Sequence, residues 1–218
     1  MDLPKLKNKK LFEVAFTHRS YLNEAKQKIP SNERLEFLGD SVLSFVVSNH
    51  LYSEYPDFDE GTLTNLRSLL VNTKSLSEIA VELEIGQYLK LSKGEEESKG
   101  RENATLLENS FEAFVGALFL DQGIKSVVKF LESSLFTKIP VLVNKKAFKD
   151  PKSLLQEKMQ AKKIGSPTYK VLEESGPAHA KTFKIGVFVE GKMLGEGQGK
   201  SKQKAEEMAA QTALEVKS

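Results

Sequence analysis

The chain has 218 residues, enough for one large or two small domains, and its 32 basic against 30 acidic residues leave a net charge of only +2. It contains no Cys, which excludes a disulfide framework, a thiolate nucleophile and Cys-bound zinc. The longest apolar stretch, Ala113 to Leu120, is too short to span a bilayer, and the lysine-rich start, Met1 to Lys10, leads into no signal-peptide core. A cytoplasmic protein with no membrane partner is expected.

From Lys10 to about Leu142 the pattern is helical throughout. Apolar residues recur at helical spacing over 40–52, 62–83 and 104–120. Breaks are predicted at Ile29-Pro30-Ser31, at Tyr55-Pro56-Asp57 and across the polar run from Ser92 to Asn103, which reads as a loop. Residues 144–150 are polar and lead into Asp150-Pro151, a hinge followed by a helix start. The pattern then changes. A helix is predicted over Lys152–Ala161, strands over Thr168–Glu173, Thr182–Glu190 and Lys192–Glu196, and a last helix from about Ser201 to Val216. Phe183, Ile185, Val187 and Val189 alternate as core residues of the middle strand. The fold class is therefore an all-α N-terminal domain followed by a small α+β domain of order α-β-β-β-α.

Charge divides along the same line. From Lys149 onward thirteen lysines face nine acidic residues, a net +4, whereas the first 148 residues carry −2. A basic tail domain suits a polyanionic partner, and a solvated helical face would account for many of these lysines equally well.

The most telling segment is Asn32-Glu-Arg-Leu-Glu-Phe-Leu-Gly-Asp40. On a helix, Glu33, Glu36 and Asp40 stack on one stripe, while Leu35, Phe37, Leu38, Val42, Leu43 and Phe45 cover most of the remaining circumference. A helix apolar nearly all round is a buried one, and carboxylates on a buried helix call for a partner or a hard cation. The alternative is a solvated stripe on a surface helix. A second helix carries Glu108, Asn109 and Glu112 among residues that are almost all apolar, with Asn109 and Glu112 on one face at i, i+3. Gly39 and Gly116, inside these two helices, suggest close helix–helix approach. Glu33 is also explained as a helix-start charge favoured by the dipole, Arg34 as a surface ion pair and Phe37 as a core residue.

Other chemistries fit poorly. Gly195 to Ser201 lies between a strand and a helix, but its glycine spacing fails the phosphate-loop pattern. His18, His50 and His179 are the only histidines, no two stand at metal-ligand spacing, and no nucleophile elbow is present.

The nine residues from Asn32 to Asp40 resemble the signature of the ribonuclease III family, endonucleases that cut double-stranded RNA. Thr17-His18-Arg19-Ser20-Tyr21, Leu66-Arg67-Ser68 through Leu70-Val71-Asn72, and Phe111-Glu112-Ala113 to Gly116-Ala117 extend the likeness, and the C-terminal part resembles that family's double-stranded RNA-binding domain. The resemblance implies an endonuclease domain over 1–143, a linker at 144–150 and an RNA-binding domain over 151–218. It also implies a homodimer with Phe37 at the interface, and magnesium, with manganese able to substitute, but no organic cofactor. The metal positions correspond to Glu36, Asp40, Asn109 and Glu112, with Asp40 and Glu112 catalytic and Glu33 in possible support. Double-stranded RNA would be met by Gln156, Glu157, His179, Lys200, Lys202 and Lys204. It would be hydrolysed to 5′-phosphate and 3′-hydroxyl ends, in rRNA and mRNA processing.

There are two departures from the family pattern. The family usually has Asp where this chain has Asn109, which removes one negative charge beside the cations. Glu108, turned about 100° around the helix from Asn109, is not expected to replace it. Where the family often has two adjacent basic residues, this chain has Lys202-Gln203. The alternative reading is a catalytically weak RNA-binding or structural protein.

Overall fold

A computed structural model of the chain describes residues 2–25, 29–144, 148–177 and 181–215, and the protein divides into two compact units, Met1–Phe148 and Lys149–Ser218. Helices of the first unit are α1 (Lys9–Ala15), α2 (Glu33–Glu54), α3 (Glu60–Leu70), α4 (Thr73–Glu82), α5 (Lys93–Glu97), α6 (Ala104–Gln122), α7 (Ile124–Ser133) and α8 (Ile139–Asn144). Short polar side chains set their starts. Asn8, Asp59, Asn72, Ser92 and Asn103 each accept hydrogen bonds from backbone N–H groups in the first turn of α1, α3, α4, α5 and α6.

Helices α2 and α6 form the most extensive helix pair. They touch backbone to backbone at two glycines. A Cβ on Gly39 would overlap the Glu112 carbonyl oxygen, and a Cβ on Gly116 would overlap that of Leu35. Residue 39 thus faces 112–116 while 35 faces 116, so the helices run antiparallel through the crossing. Around it lies a core of fully buried Phe16, Phe111, Phe114, Leu43, Leu51 and Leu66.

The start of α2 is fixed from two sides. The Asn32 N–H donates to Thr17 O at 2.9 Å, and Thr17 itself bridges to Lys90 through the Lys90 N–H to Phe16 O and the His18 N–H to Lys90 O. Ser20 accepts from the Ser92 N–H and lies 2.9 Å from His18 Nδ1. The Thr17–Tyr21 segment therefore holds the entry to the signature helix.

Two expectations need correction. The run from Ser92 to Asn103 is not simply a loop: α5 and a 3₁₀ turn at Gly100–Glu102 occupy it. Ser92 and Glu95 have capping-box spacing, with the Glu95 N–H donating to Ser92 Oγ, and Arg101 fastens the segment to Glu96 and to the Gly86 carbonyl. Nor is α2 buried all round. Phe37, Phe45 and Tyr52 are 78%, 61% and 74% exposed, so one side of the helix carries aromatic rings that the described residues leave largely uncovered.

Phe148, in the stretch expected to link the units, is buried beside Phe58 and accepts a hydrogen bond from Asn65. The second unit begins with Asp150 capping α9 (Pro151–Ala161), with Pro151 in the first turn. Strands β1 (Thr168–Ser175), β2 (Thr182–Val189) and β3 (Lys192–Gly199) form an antiparallel sheet in the order β1-β2-β3, followed by α10 (Lys202–Glu215). Ile185, Val187 and Val189 are buried as their alternation requires, while Phe183 is half-buried. Glu190 and Gly191, both at positive φ, close the β2–β3 hairpin.

The glycines that mimic a phosphate loop have a packing explanation. Gly195, Gly197 and Gly199 alternate along β3, and a Cβ on them would strike the α10 backbone around Ala213, Ala209 and Ala205 respectively. A side chain on that edge of the sheet would push the helix away.

Candidate metal centre and RNA-binding face

The α2–α6 crossing positions the acidic residues. Glu36 and Asp40 flank Gly39 on α2, and Glu112 sits on α6 where its own carbonyl abuts Gly39. Glu112 is only 9% exposed, and its carboxylate makes no hydrogen bond or ion pair with any described residue. Burial, then Asp40, Glu108 and Glu36, push its carboxyl up to about 8. Glu36 is half-buried and is also raised, by burial first and then by Glu33, Glu108 and Asp40. Asp40 is exposed and Asn109 half-buried. Among the described residues, no three acidic or histidine side chains are gathered tightly enough to grip one ion. The arrangement is a buried carboxylate with no ion-pair partner among the described residues, beside others of the same sign. It is favourable toward a hard cation and costly without one.

Glu33 faces outward and pairs with Arg19 at 3.7 Å, whereas Arg34, expected in a surface ion pair, makes none with a described residue. Phe37 borders a 700 Å³ hollow lined by Leu11, Val14, Pro30, Leu38 and Leu120, with Leu120 itself 55% exposed. Sequence reasoning missed the part played by Glu108. It is half-buried and acts electrostatically on both Glu36 and Glu112. The available signal was its i, i+4 relation to Glu112, which puts the two on one face of α6.

In the second unit Gln156 and Glu157 are exposed on α9, and Glu157 pairs with Lys149 at 2.7 Å. Lys200, Lys202 and Lys204 are exposed around the start of α10 but differ in engagement. Lys202 pairs with Glu174 at 3.1 Å and lies over the Phe183 ring, Lys204 pairs with Glu207 at 3.0 Å, and Lys200 makes no ion pair with a described residue. The hydrogen bond from Lys202 is the main reason the Glu174 carboxyl is lowered. His179 lies outside the described residues.

The fold and this site define a helical nuclease domain joined to a double-stranded RNA-binding module. Residues 8–139 match the Ribonuclease-III-like family and residues 151–217 match the double-stranded RNA binding motif. Ribonuclease 3 of Bacillus licheniformis is 48% identical over 211 residues, covering 95% of this chain and 83% of that protein. Ribonuclease 3 of Borreliella afzelii is 45% identical over 206 residues, covering 94% and 84%. Among solved structures, the nuclease domain of ribonuclease III from Campylobacter jejuni, described as having structural flexibility in a region involved in dimer formation, is similar at a TM-score of 0.57 and 36% identity, covering 62% of this chain and 92% of that one. Dicer from Pichia stipitis is similar at a TM-score of 0.50 and 28% identity, covering 100% and 98%. The chain belongs to the ribonuclease III family.

Proposed function

We infer that the chain is an endoribonuclease that hydrolyses double-stranded RNA, using magnesium held at the α2–α6 crossing and acting as a homodimer in cytoplasmic rRNA and mRNA processing. The observation that carries the reading is Glu112, a residue 9% exposed whose carboxylate has no hydrogen-bond or ion-pair partner among the described residues and stands near Glu36 and Asp40. Oxygen donors of this kind suit magnesium, and manganese would substitute. Glu36, Asp40 and Glu112, with the amide oxygen of Asn109, are the groups that would hold it. Bound there, magnesium would activate the attacking water and offset charge on the leaving 3′ oxygen, giving 5′-phosphate and 3′-hydroxyl ends.

The protein's own part is to bring the duplex there and keep it in register. Gln156 and Glu157 would meet 2′-hydroxyls in a minor groove, with His179 at the next. Lys200, Lys202 and Lys204 would meet the intervening phosphates. For this Glu157, Lys202 and Lys204 would exchange their present ion pairs for RNA, a small cost at exposed sites. The exposed Phe37 and the apolar hollow beside it support its assignment to the dimer interface. The reading as a binding protein without catalysis is not favoured, since the relatives matched over nearly the whole chain are ribonucleases, and the carboxylates of Glu36, Asp40 and Glu112 support the same reading.

A long RNA duplex incubated with magnesium should be cut, EDTA should stop the reaction, and Glu112→Gln should lower the rate by at least about 100-fold. Duplex binding by the variant in a gel shift should stay within about twofold, because binding rests largely on the second unit. Cleavage by Glu112→Gln at the unmodified rate would overturn the site assignment.

A further inference from the structure

Position 109 on the Glu112 side of α6 is a neutral Asn, and the helix carries a further acidic residue beside it, Glu108. Successive residues on a helix turn by about 100°, so Glu112 lies about 40° on from Glu108 and about 60° short of Asn109. Seen down the axis, Glu112 stands between the two and nearer to Glu108. The antiparallel crossing fixes the direction along the axis as well. Gly39 lies against Glu112, so the turn of α6 that precedes Glu112, containing Glu108, runs alongside the turn of α2 that begins at Asp40. Glu108 is half-buried, makes no hydrogen bond or ion pair with a described residue, and shares a face with the nine-tenths buried Glu112.

We propose that Glu108 belongs to the metal shell, as an oxygen donor to the cation or to its coordinated waters, and supplies the negative charge that Asn109 does not. The long Glu side chain gives the reach needed from that position. Four carboxylates (Glu36, Asp40, Glu108 and Glu112) would then face the cation. The electrostatic effect of Glu108 on both Glu36 and Glu112 agrees with this placement. The inference rests on the reading of the crossing as a magnesium site.

The test uses the full-length protein and the variants Glu108→Gln, Asn109→Asp, the double variant carrying both, and Glu112→Gln. Manganese binding is measured by calorimetry without RNA, and magnesium dependence is measured by duplex cleavage at fixed ionic strength. Glu108→Gln should weaken manganese binding by about tenfold or more and raise the magnesium needed for half-maximal rate by a similar factor. The double variant should recover most of both losses, and Asn109→Asp alone, which alters a residue of the site itself, should tighten manganese binding by less than about tenfold. Melting of each variant in EDTA checks the fold, and Glu108→Gln should melt no lower than the unmodified protein, because it removes a like charge. Should it fail to fold, Glu108→Asp, which shortens the reach by one methylene, should weaken manganese binding instead.

Unchanged manganese binding and magnesium dependence in Glu108→Gln, beside their loss in Glu112→Gln, would overturn the role of Glu108 and leave the site reading intact. Asn109→Asp binding manganese at least tenfold more tightly than the unmodified protein would also overturn it, since position 109 would then be short of charge. Intact binding and cleavage in Glu112→Gln would overturn the site reading itself.

Discussion

The two units of the molecule handle charge in opposite ways. In the first, the central acidic residue is nearly buried, has no partner among the described residues, and is packed where two helices touch through glycine. In the second, the described contact candidates Gln156, Glu157, Lys200, Lys202 and Lys204 lie on the surface, and Glu157, Lys202 and Lys204 are already paired with nearby side chains. Chemistry on a phosphodiester needs a poised, poorly solvated charge that binds a cation strongly. Holding a long polyanion needs many solvated charges, each of which can change partners cheaply. The cores differ accordingly. The nuclease unit has a core that includes Phe16, Phe111 and Phe114, whereas the RNA-binding unit is built on Leu155, Val187 and three alanines of α10.

Both units depend on glycine contacts, which gives a direct way to break one without the other. Gly39→Ala should destabilise the nuclease unit by about 3 kcal/mol or more, because the new methyl meets the backbone of α6 and neither helix can yield locally. Cleavage should fall sharply while duplex binding persists. Gly197→Ala should do the reverse, since its methyl would meet the backbone at Ala209 and separate α10 from the sheet, at a cost of roughly 1–3 kcal/mol or more. Duplex binding should weaken and the melting of the nuclease unit should not change. Calorimetry of the two variants beside gel shifts would check both, and equal loss of both functions in either variant would mean that the units are not energetically separate.

The contrast in burial predicts a difference in pH response. The Glu112 carboxyl is raised from 4.5 to about 8, so the folded protein holds this proton more tightly than the unfolded chain does. Stability of the metal-free protein should therefore fall as pH rises from about 4.5 to about 8, then level off. Melting temperatures in EDTA should show a shallower fall for Glu112→Gln. Parallel curves would mean that the carboxylate is better solvated than its burial implies.

The smallest effects are expected on the RNA-binding face. Lys200→Ala should lower the salt dependence of duplex binding by about one unit of slope, and Lys204→Ala by less, because Lys204 must first release Glu207. Titrations at several salt concentrations would reveal it, and a larger change for Lys204→Ala would show that the ion pair costs nothing to break.

Much of this was legible in the sequence, for physical reasons. Helical spacing gave α2 and α6, alternation gave β2, and Asp150-Pro151 gave the start of α9, because each is a local pattern. Glu36, Asp40 and Glu112 stood out as charges in apolar surroundings. What local pattern did not reveal depends on partners distant in sequence. The pairing of Lys202 with Glu174 spans the sheet, and the uncovered side of α2 looks in sequence like any apolar face. Two failures were local signals given too little weight: the Ser92–Glu95 capping box and the i, i+4 relation between Glu108 and Glu112.

The segment from Leu35 to Asp40 carries another implication. Within six residues of one helix stand two carboxylates of the α2–α6 crossing, the glycine that admits α6 and an aromatic ring turned to the outside. These duties fall on different sides of the same two turns, so they are locked together by helical phase. A one-residue insertion before Gly39 would rotate everything upstream by about 100°, turning Glu36 from its neighbours and Phe37 from its hollow in a single event. A deletion would do the same in the other sense. Descendants of this gene can therefore explore substitutions here one position at a time, but length changes would be eliminated at once. Insertions should accumulate instead where the chain leaves a helix, as in the polar stretch between the two units.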